Sequence, residues 1–282
     1  MLTHRHKLLF GISRTRPAFV DDLGQRVTVI GTGFWLRLAS GKNCFVTNGH
    51  NIAAVLANPP RPELKLEEVS IELRQITETN DELTFHKETE FFRLSDESKL
   101  FRVDNADCAI ILPVFQKDLG YYRPYVPFEE SDLADEEYFK TKLHVAQDAY
   151  FIGFPALSSR QSSTGKARIW WDTLWNMPVA RTASIASFPI HPFTNDFIKT
   201  QDVLLVSGLS FSGSSGSPII AREWGIHVKP PLSSENYVPE KLIGIMSGHW
   251  EENDSDHPLK HSGLSYFTRS TSILHLIHSN RL

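Results

Sequence analysis

The sequence predicts an all-β chain folded as two packed antiparallel barrels with a C-terminal α-helix. Three observations predict it. Short alternating apolar segments, punctuated by glycine, proline and asparagine turns, recur along the chain. They fall into two sets on either side of an acidic stretch. Helical spacing is convincing only at the end, where Ser270 to Ser279 sets Ile273, Leu274 and Ile277 on one face. A chain of 282 residues is long enough for two such units. At 41% hydrophobic and 22% charged, its composition is that of a globular protein.

The first set opens after Met1 to Ile12. There the apolar run from Leu8 is broken by Gly11 and followed by Arg14 and Arg16. That run is short for a signal peptide, so a cytoplasmic location is expected. Val27 to Ile30 leads through Gly31-Thr32-Gly33 into Phe34 to Leu38, and Cys44-Phe45-Val46 follows a Gly41-Lys42-Asn43 turn. Ile52 to Leu56 reads as one or two helical turns, ended by Pro59-Pro60. Val69 to Leu73 and Leu83 to His86 alternate as strands do.

Between Tyr121 and Lys140 six acidic residues crowd together behind Pro124 and Pro127, which reads as a solvated linker. The division is therefore an N-terminal unit over 1–122, a linker over 123–143 and a C-terminal unit over 144–282. In the second unit Ala149 to Ile152, Val179 to Ala186, Val203 to Val206, Pro218 to Ala221 and Leu242 to Met246 read as strands. Ser158 to Lys166 reads as a polar loop.

Composition excludes several function classes. A net charge of −4 does not suit a nucleic-acid binder, and no apolar run has the length of a membrane-spanning helix. The two cysteines, Cys44 and Cys108, sit in strand-like runs and read as buried reduced thiols, with a single bridge still open. His275 and His278, and His257 and His261, make pairs without an evident third ligand, so neither a metal nor another cofactor is expected.

Three residues stand at the edges of apolar strands in a chemically suggestive order. They are His50 after Val46-Thr47-Asn48-Gly49, Asp107 before Cys108-Ala109-Ile110-Ile111, and Ser215 inside Gly213-Ser214-Ser215-Gly216-Ser217-Pro218. A serine hydroxyl is a poor nucleophile until a base takes its proton and a third group orients that base. Gly213 allows the backbone angles by which turn amides, those of Gly213 and Ser215, converge on a developing oxyanion.

With Gly31 to Phe34, Gly153-Phe154-Pro155 and Gly244 to Gly248, these segments resemble the trypsin/chymotrypsin-like serine peptidases, in that family's order and over about residues 25 to 282. The resemblance implies two six-stranded barrels with the site between them. It implies a catalytic set of His50 as base, Asp107 as its orienting acid and Ser215 as nucleophile, acting on a polypeptide substrate. It further implies that Ser247 supports the aspartate and that Ser247-Gly248-His249 pairs with an extended substrate backbone.

Departures from the family pattern bear on activation and specificity. Ser214 stands where secreted members carry an aspartate, so activation by trimming of the amino terminus loses its partner. Activity of the intact chain, or activation by a protein partner, is expected instead. Leu209, Ser265 and His249 at the pocket positions suggest a small or medium apolar residue before the scissile bond. The alternative is that His249 recognises an acidic side chain. Trp170, Trp171 and Trp175 read as core packing or as an apolar rim. The competing functions are a catalytically silent or effector-gated binding module and a lipase-type esterase using Ser215, Asp254 and His257. The esterase lacks the closing glycine of its motif, because Ser217 replaces it.

Overall fold

Ten strands form the first sheet. They are β1 (Ile12–Val20), β2 (Arg26–Thr28), β3 (Gly31–Arg37), β4 (Asn43–Thr47), β5 (Lys65–Thr79), β6 (Glu82–Arg93), β7 (Lys99–Arg102), β8 (Ala109–Leu112), β9 (Tyr122–Arg123) and β10 (Phe128–Glu129). Eight more follow: β11 (Asp148–Gly153), β12 (Ala156–Leu157), β13 (Arg168–Ile169), β14 (Val179–Ile185), β15 (Val203–Ser207), β16 (Pro218–Ala221), β17 (Lys241–Asp254) and β18 (His257–Arg269). The helices are α1 (His4–Leu8), α2 (Glu136–Thr141) and α3 (Ser270–Asn280). This computed structural model describes residues 4–57, 60–79, 82–103, 105–157, 168–195, 201–225, 237–254 and 257–282. The polar loop expected over 158–166 lies outside the described residues.

The second set of strands closes as expected, in the order β11-β14-β15-β18-β17-β16, a six-stranded barrel. The first set does not. Its main path runs β6-β5-β1-β3-β4-β8-β7, with β2, β9 and β10 attached to its side, and it is not closed. The expectation of two six-stranded barrels is therefore wrong for the N-terminal half. Closure requires the two edge strands of a sheet to pair with each other at a fixed stagger of register. Here one edge is the four-residue β7 and the other the twelve-residue β6, which pairs with β5 in a long hairpin. Strand content by itself does not reveal which edges pair.

The central strands are buried on both faces, and their neighbouring residues enter different cores. Trp35, Phe45, Ile71, Phe92 and Ile111 form a core within the first sheet. Phe151, Ile219, Met246 and Phe267 fill the barrel. A third cluster crosses between the halves, joining Phe34, Val46 and Ile110 to Ile152, Phe154, Ile245 and Ile273 of α3. Each such side chain contributes about 1.5–3 kcal/mol on burial, so the two halves share one apolar junction. Cys44 and Cys108 lie in this junction as free, fully buried thiols.

The acidic stretch is more ordered than a solvated linker. Asp132 accepts from the Glu129 amide at 2.8 Å, and Asp135 caps α2 by accepting from the Tyr138 amide at 2.8 Å. Glu130 accepts from the Ala39 amide at 2.8 Å. These carboxylates satisfy backbone donors at turns.

A buried ionic network joins the first sheet to the segment before β14. Glu72, 4% exposed, accepts from Arg14 Nε at 2.7 Å, Arg14 Nη2 at 2.5 Å and Thr89 at 2.6 Å, and also from Asn176. Arg74 donates to the carbonyls of Trp175 and Asn176 at 2.9 and 2.7 Å. The tryptophans there divide between the two expected roles. Trp171 is 8% exposed against Phe154, whereas Trp170 and Trp175 are 41% and 51% exposed.

Candidate active site

His50 is presented by a single tight turn. β4 ends at Thr47, Asn48 is extended, and Gly49–Asn51 forms one 3-10 turn. Gly49 is closely packed: a Cβ there would lie 2.7 Å from Leu56 Cδ1 and 3.2 Å from the Cys108 amide nitrogen. Asp107, 4% exposed, holds His50 at two points. Its Oδ1 accepts from the His50 backbone amide at 2.8 Å, and its Oδ2 lies 2.8 Å from His50 Nδ1. Burial alone lowers the basicity of the imidazole. The Asp107 charge and hydrogen bond outweigh it, and the net pKa of His50 is raised.

Asn48, which sequence reading did not single out, bridges the acid to the C-terminal barrel. Its Nδ2 donates to the Asp107 carbonyl at 2.9 Å and to Ser247 Oγ at 3.1 Å. Ser247 in turn lies 2.9 Å from Thr268 Oγ1. Ser247 is thus linked to Asp107 by way of an asparagine.

Ser215 sits in the turn before β16. The Ser214 amide donates to the Phe211 carbonyl at 2.9 Å, and Gly213, third in that turn, has φ 82°. A positive φ at the third position is the mark of a type II turn. The Ser212 carbonyl accepts from the Ala156 amide at 2.8 Å. Because the peptide is planar and trans, the Gly213 N–H faces the opposite way.

The turn is tied directly to the His50 side. The Ser215 carbonyl accepts from the Thr32 amide at 2.8 Å and from Asn51 Nδ2 at 3.2 Å. Thr32 Oγ1 donates to the Gly213 carbonyl at 2.6 Å, and Thr47 Oγ1 donates to the Thr32 carbonyl at 2.7 Å. Gly216, at φ 94°, is pressed so close that a Cβ would lie 1.7 Å from the Thr32 oxygen. The half-buried Ser215 hydroxyl donates to the Ser247 carbonyl at 3.4 Å.

Ser214 is 1% exposed and has a cationic partner. Arg181 Nη2 donates to its hydroxyl at 2.5 Å, and Nη1 donates to the Leu209 carbonyl at 2.8 Å. The guanidinium lies over the rings of Phe151 and Phe211, 4.8 and 5.1 Å from their centroids. Burial pulls the Arg181 pKa down to about 10, still well above neutrality.

The residues expected to line a pocket fall around Ser210. Ser265, fully buried, donates to the Gly208 carbonyl at 2.7 Å and lies 3.0 Å from Ser210 Oγ. His249 stacks on His261 with centroids 4.6 Å apart and planes 14° apart. Gly248 is packed against Tyr266, whose Oη would lie 2.5 Å from a Cβ. The Leu209 side chain is 52% exposed. Asp254 and His257, the pair an esterase would use, are opposed in the β17–β18 ladder, and their side chains lie outside the described residues.

Sequence reading missed Thr32, Asn48, Asn51, Arg181, Ser210 and His261 as site residues. Thr32 lies in the Gly31-Thr32-Gly33 segment and Asn48 and Asn51 flank His50, so their neighbourhood was a signal. Arg181, in an ordinary strand, left none.

Comparison with known proteins defines the fold and nothing finer. No family model matches the chain, and no curated protein matches it. Among solved structures, the HtrA-type protease AlgW with decapeptide matches 99% of this chain and 67% of its own, with a TM-score of 0.51 and 10% identity. At that identity the likeness is one of fold. The chain has a fold like that of the HtrA-type protease AlgW.

Proposed function

We propose that the chain is a serine endopeptidase using His50, Asp107 and Ser215. The observation that carries this reading is the double hold of Asp107 on His50, in the same turn whose Asn51 reaches the Ser215 carbonyl. Asp107 fixes the tautomer in which Nε2 is the acceptor and stabilises the imidazolium that forms. Ser215 attacks a peptide carbonyl, His50 removes its proton, and the same proton passes to the leaving amine. The present acceptor of the Ser215 hydroxyl, the Ser247 carbonyl at 3.4 Å, is too distant to hold it strongly. The Gly213 and Ser215 amides receive the oxyanion, and losing one such donor costs about 3 kcal/mol of transition-state stabilisation.

The outward tie of the Ser212 carbonyl supports a Gly213 amide set for that task without prior trimming. In this reading 1–122 supplies the base and acid, and 144–282 the nucleophile. The β16–β17 ladder ends at Pro218↔Ile245, while β17 continues alongside β18. The edge at Ser247-Gly248-His249 lies beyond that ladder and suits an extended substrate strand. The AlgW structure, which is described with a decapeptide, is consistent with a peptide ligand on this fold.

Hydrolysis of an unstructured polypeptide by the intact chain tests the reading. Cleavage that disappears in Ser215→Ala and in His50→Ala supports it. Equal cleavage by wild type and Ser215→Ala contradicts it.

A further inference from the structure

Along β5, alternation sends Ile71 and Leu73 into the core of the first sheet and turns Glu72 and Arg74 to its other face. Charges on an outer face ordinarily meet water. These two are buried, at 4% and 8% exposure, beneath Arg14 and beneath Trp175 and Asn176 of the C-terminal half. Arg74 spans two successive carbonyls, those of Trp175 and Asn176, and the Asn176 side chain donates to Glu72 and to Thr89 Oγ1.

The segment held in this way is closed on itself. Asp172 and Met177 exchange both backbone hydrogen bonds, at 3.2 and 3.0 Å. The Asp172 carboxylate accepts from the Leu174 and Trp175 amides at 2.9 and 3.1 Å. Asn176 adopts φ 51°, a left-handed angle that asparagine tolerates. The other end of the segment reaches the Ser215 turn. The Trp171 ring lies 5.7 Å from Phe154 and the Trp170 ring 4.7 Å from Phe211. β13 pairs with β12, whose Ala156 N–H donates to the Ser212 carbonyl at 2.8 Å. That bond fixes the plane of the Ser212–Gly213 peptide, and with it the direction of the Gly213 N–H.

We infer that Glu72, Arg74 and Asn176 are positioning residues for the Gly213 amide, acting through residues 168–177. The inference rests on the peptidase reading and gives its oxyanion donor a control point in the N-terminal sheet. Two physical arguments support it. First, β12 and β13 have two residues each and form a sheet of their own. So short a pair is marginal by itself, so the placement of Ala156 depends on what holds the segment behind it. Arg14, bound to Glu72, also lies 5.1 and 5.4 Å from the Trp171 and Phe154 rings, so the network grips the segment at both ends. Second, buried ions are a poor source of stability, and apolar side chains of similar volume would serve as well. What a guanidinium fork adds is geometry, because it holds two acceptors at a fixed separation.

Two substitutions loosen this hold and keep the local backbone. Asn176→Gly retains the left-handed angle and removes the bonds to Glu72 and Thr89. Arg74→Lys retains the charge and loses the fork. Each is expected to lower kcat for peptide hydrolysis about 10- to 100-fold per folded molecule, with KM within about twofold, as a small misplacement far from the chemistry can. The affinity of a peptidyl trifluoromethyl ketone, whose adduct with Ser215 carries an oxyanion, is expected to fall by the same factor. The acid-limb midpoint is expected to stay at the wild-type value, because neither residue bonds to His50 or Asp107. Ketone affinity unchanged in both variants, a loss that only tracks the folded fraction, or a midpoint that moves with kcat would overturn the inference. Hydrogen exchange of the Ala156 amide separates it from the peptidase reading. Faster exchange in both variants, with no hydrolysis by wild type, sinks the peptidase reading and keeps the coupling. Hydrolysis by wild type, with kcat and Ala156 exchange unchanged in both variants, does the reverse.

Discussion

Arg181 donates to the hydroxyl of Ser214, the residue immediately before Ser215, at 2.5 Å. It thereby places a cation of the chain's own beneath the turn that carries the proposed nucleophile. Its second donation, to the Leu209 carbonyl, clamps the start of the same segment. The turn is held from below by a side chain and from the front by Thr32 and Asn51.

Removing this clamp has a defined expected cost. Arg181→Gln takes a charged donor from a buried hydroxyl and a carbonyl, which lowers stability by about 1.5–3 kcal/mol. The turn should loosen with it, so the rate of covalent modification at Ser215 falls more than stability alone explains. Urea denaturation and the labelling rate, measured on the same variant, check both statements. Unchanged values in both would show that the clamp is incidental.

The pH dependence follows from His50. As the proposed base it must be neutral, so activity is expected to rise with pH through its pKa. That pKa lies above the ordinary histidine value of 6.5, because the Asp107 charge and hydrogen bond outweigh burial. The acid limb of kcat/KM is expected with its midpoint above 6.5. In Asp107→Asn the charge is gone while burial remains, so the midpoint moves to lower pH. The same shift has the opposite sign for stability. The His50–Asp107 contribution is fully present below the unfolded pKa of about 6.5 and is lost as pH rises through the raised folded value.

Glu72 anchors the network between the first sheet and the segment around Asn176. Glu72→Ala leaves the Arg14 guanidinium without its carboxylate in a site where side-chain exposures are 15% and 5%. Breaking a largely buried pair this way is expected to cost about 3–5 kcal/mol. The urea midpoint reads it out, and a change under ~1 kcal/mol would mean that the pair behaves as an exposed one.

Much of this was legible in the sequence because it is local. Gly49-His50, Asp107-Cys108 and Gly213 to Pro218 are short segments whose residue types declare turns and strand edges. The strands of the C-terminal half and α3 likewise follow from alternation and helical spacing. The open first sheet was not legible, because closure depends on whether β6 meets β7, a pairing between edges with no local signature. Arg181, Ser210 and His261 escaped for the same reason. Each is unremarkable in its own segment and acquires meaning only when β14, β17, β18 and the Ser215 turn converge. Asn48 was in view beside His50, yet its link to Ser247 spans 199 positions.

The thiols give an independent check on the junction between the halves. Burial pushes Cys44 up to about 12 and, joined by the nearby Asp107 charge, raises Cys108 well above the ordinary thiol range. Both are expected to resist an aqueous thiol reagent in the native protein and to react fully after denaturation. Rapid native reaction would mean that the apolar junction opens.

The most direct measurement is covalent capture of the intact chain by a fluorophosphonate, with the adduct mapped by mass spectrometry. A formed site with an activated hydroxyl gives one adduct, on Ser215, which is absent in Ser215→Ala and slowed by orders of magnitude in His50→Ala. No adduct on the intact chain, or equal labelling of wild type and Ser215→Ala, would contradict a nucleophile at Ser215.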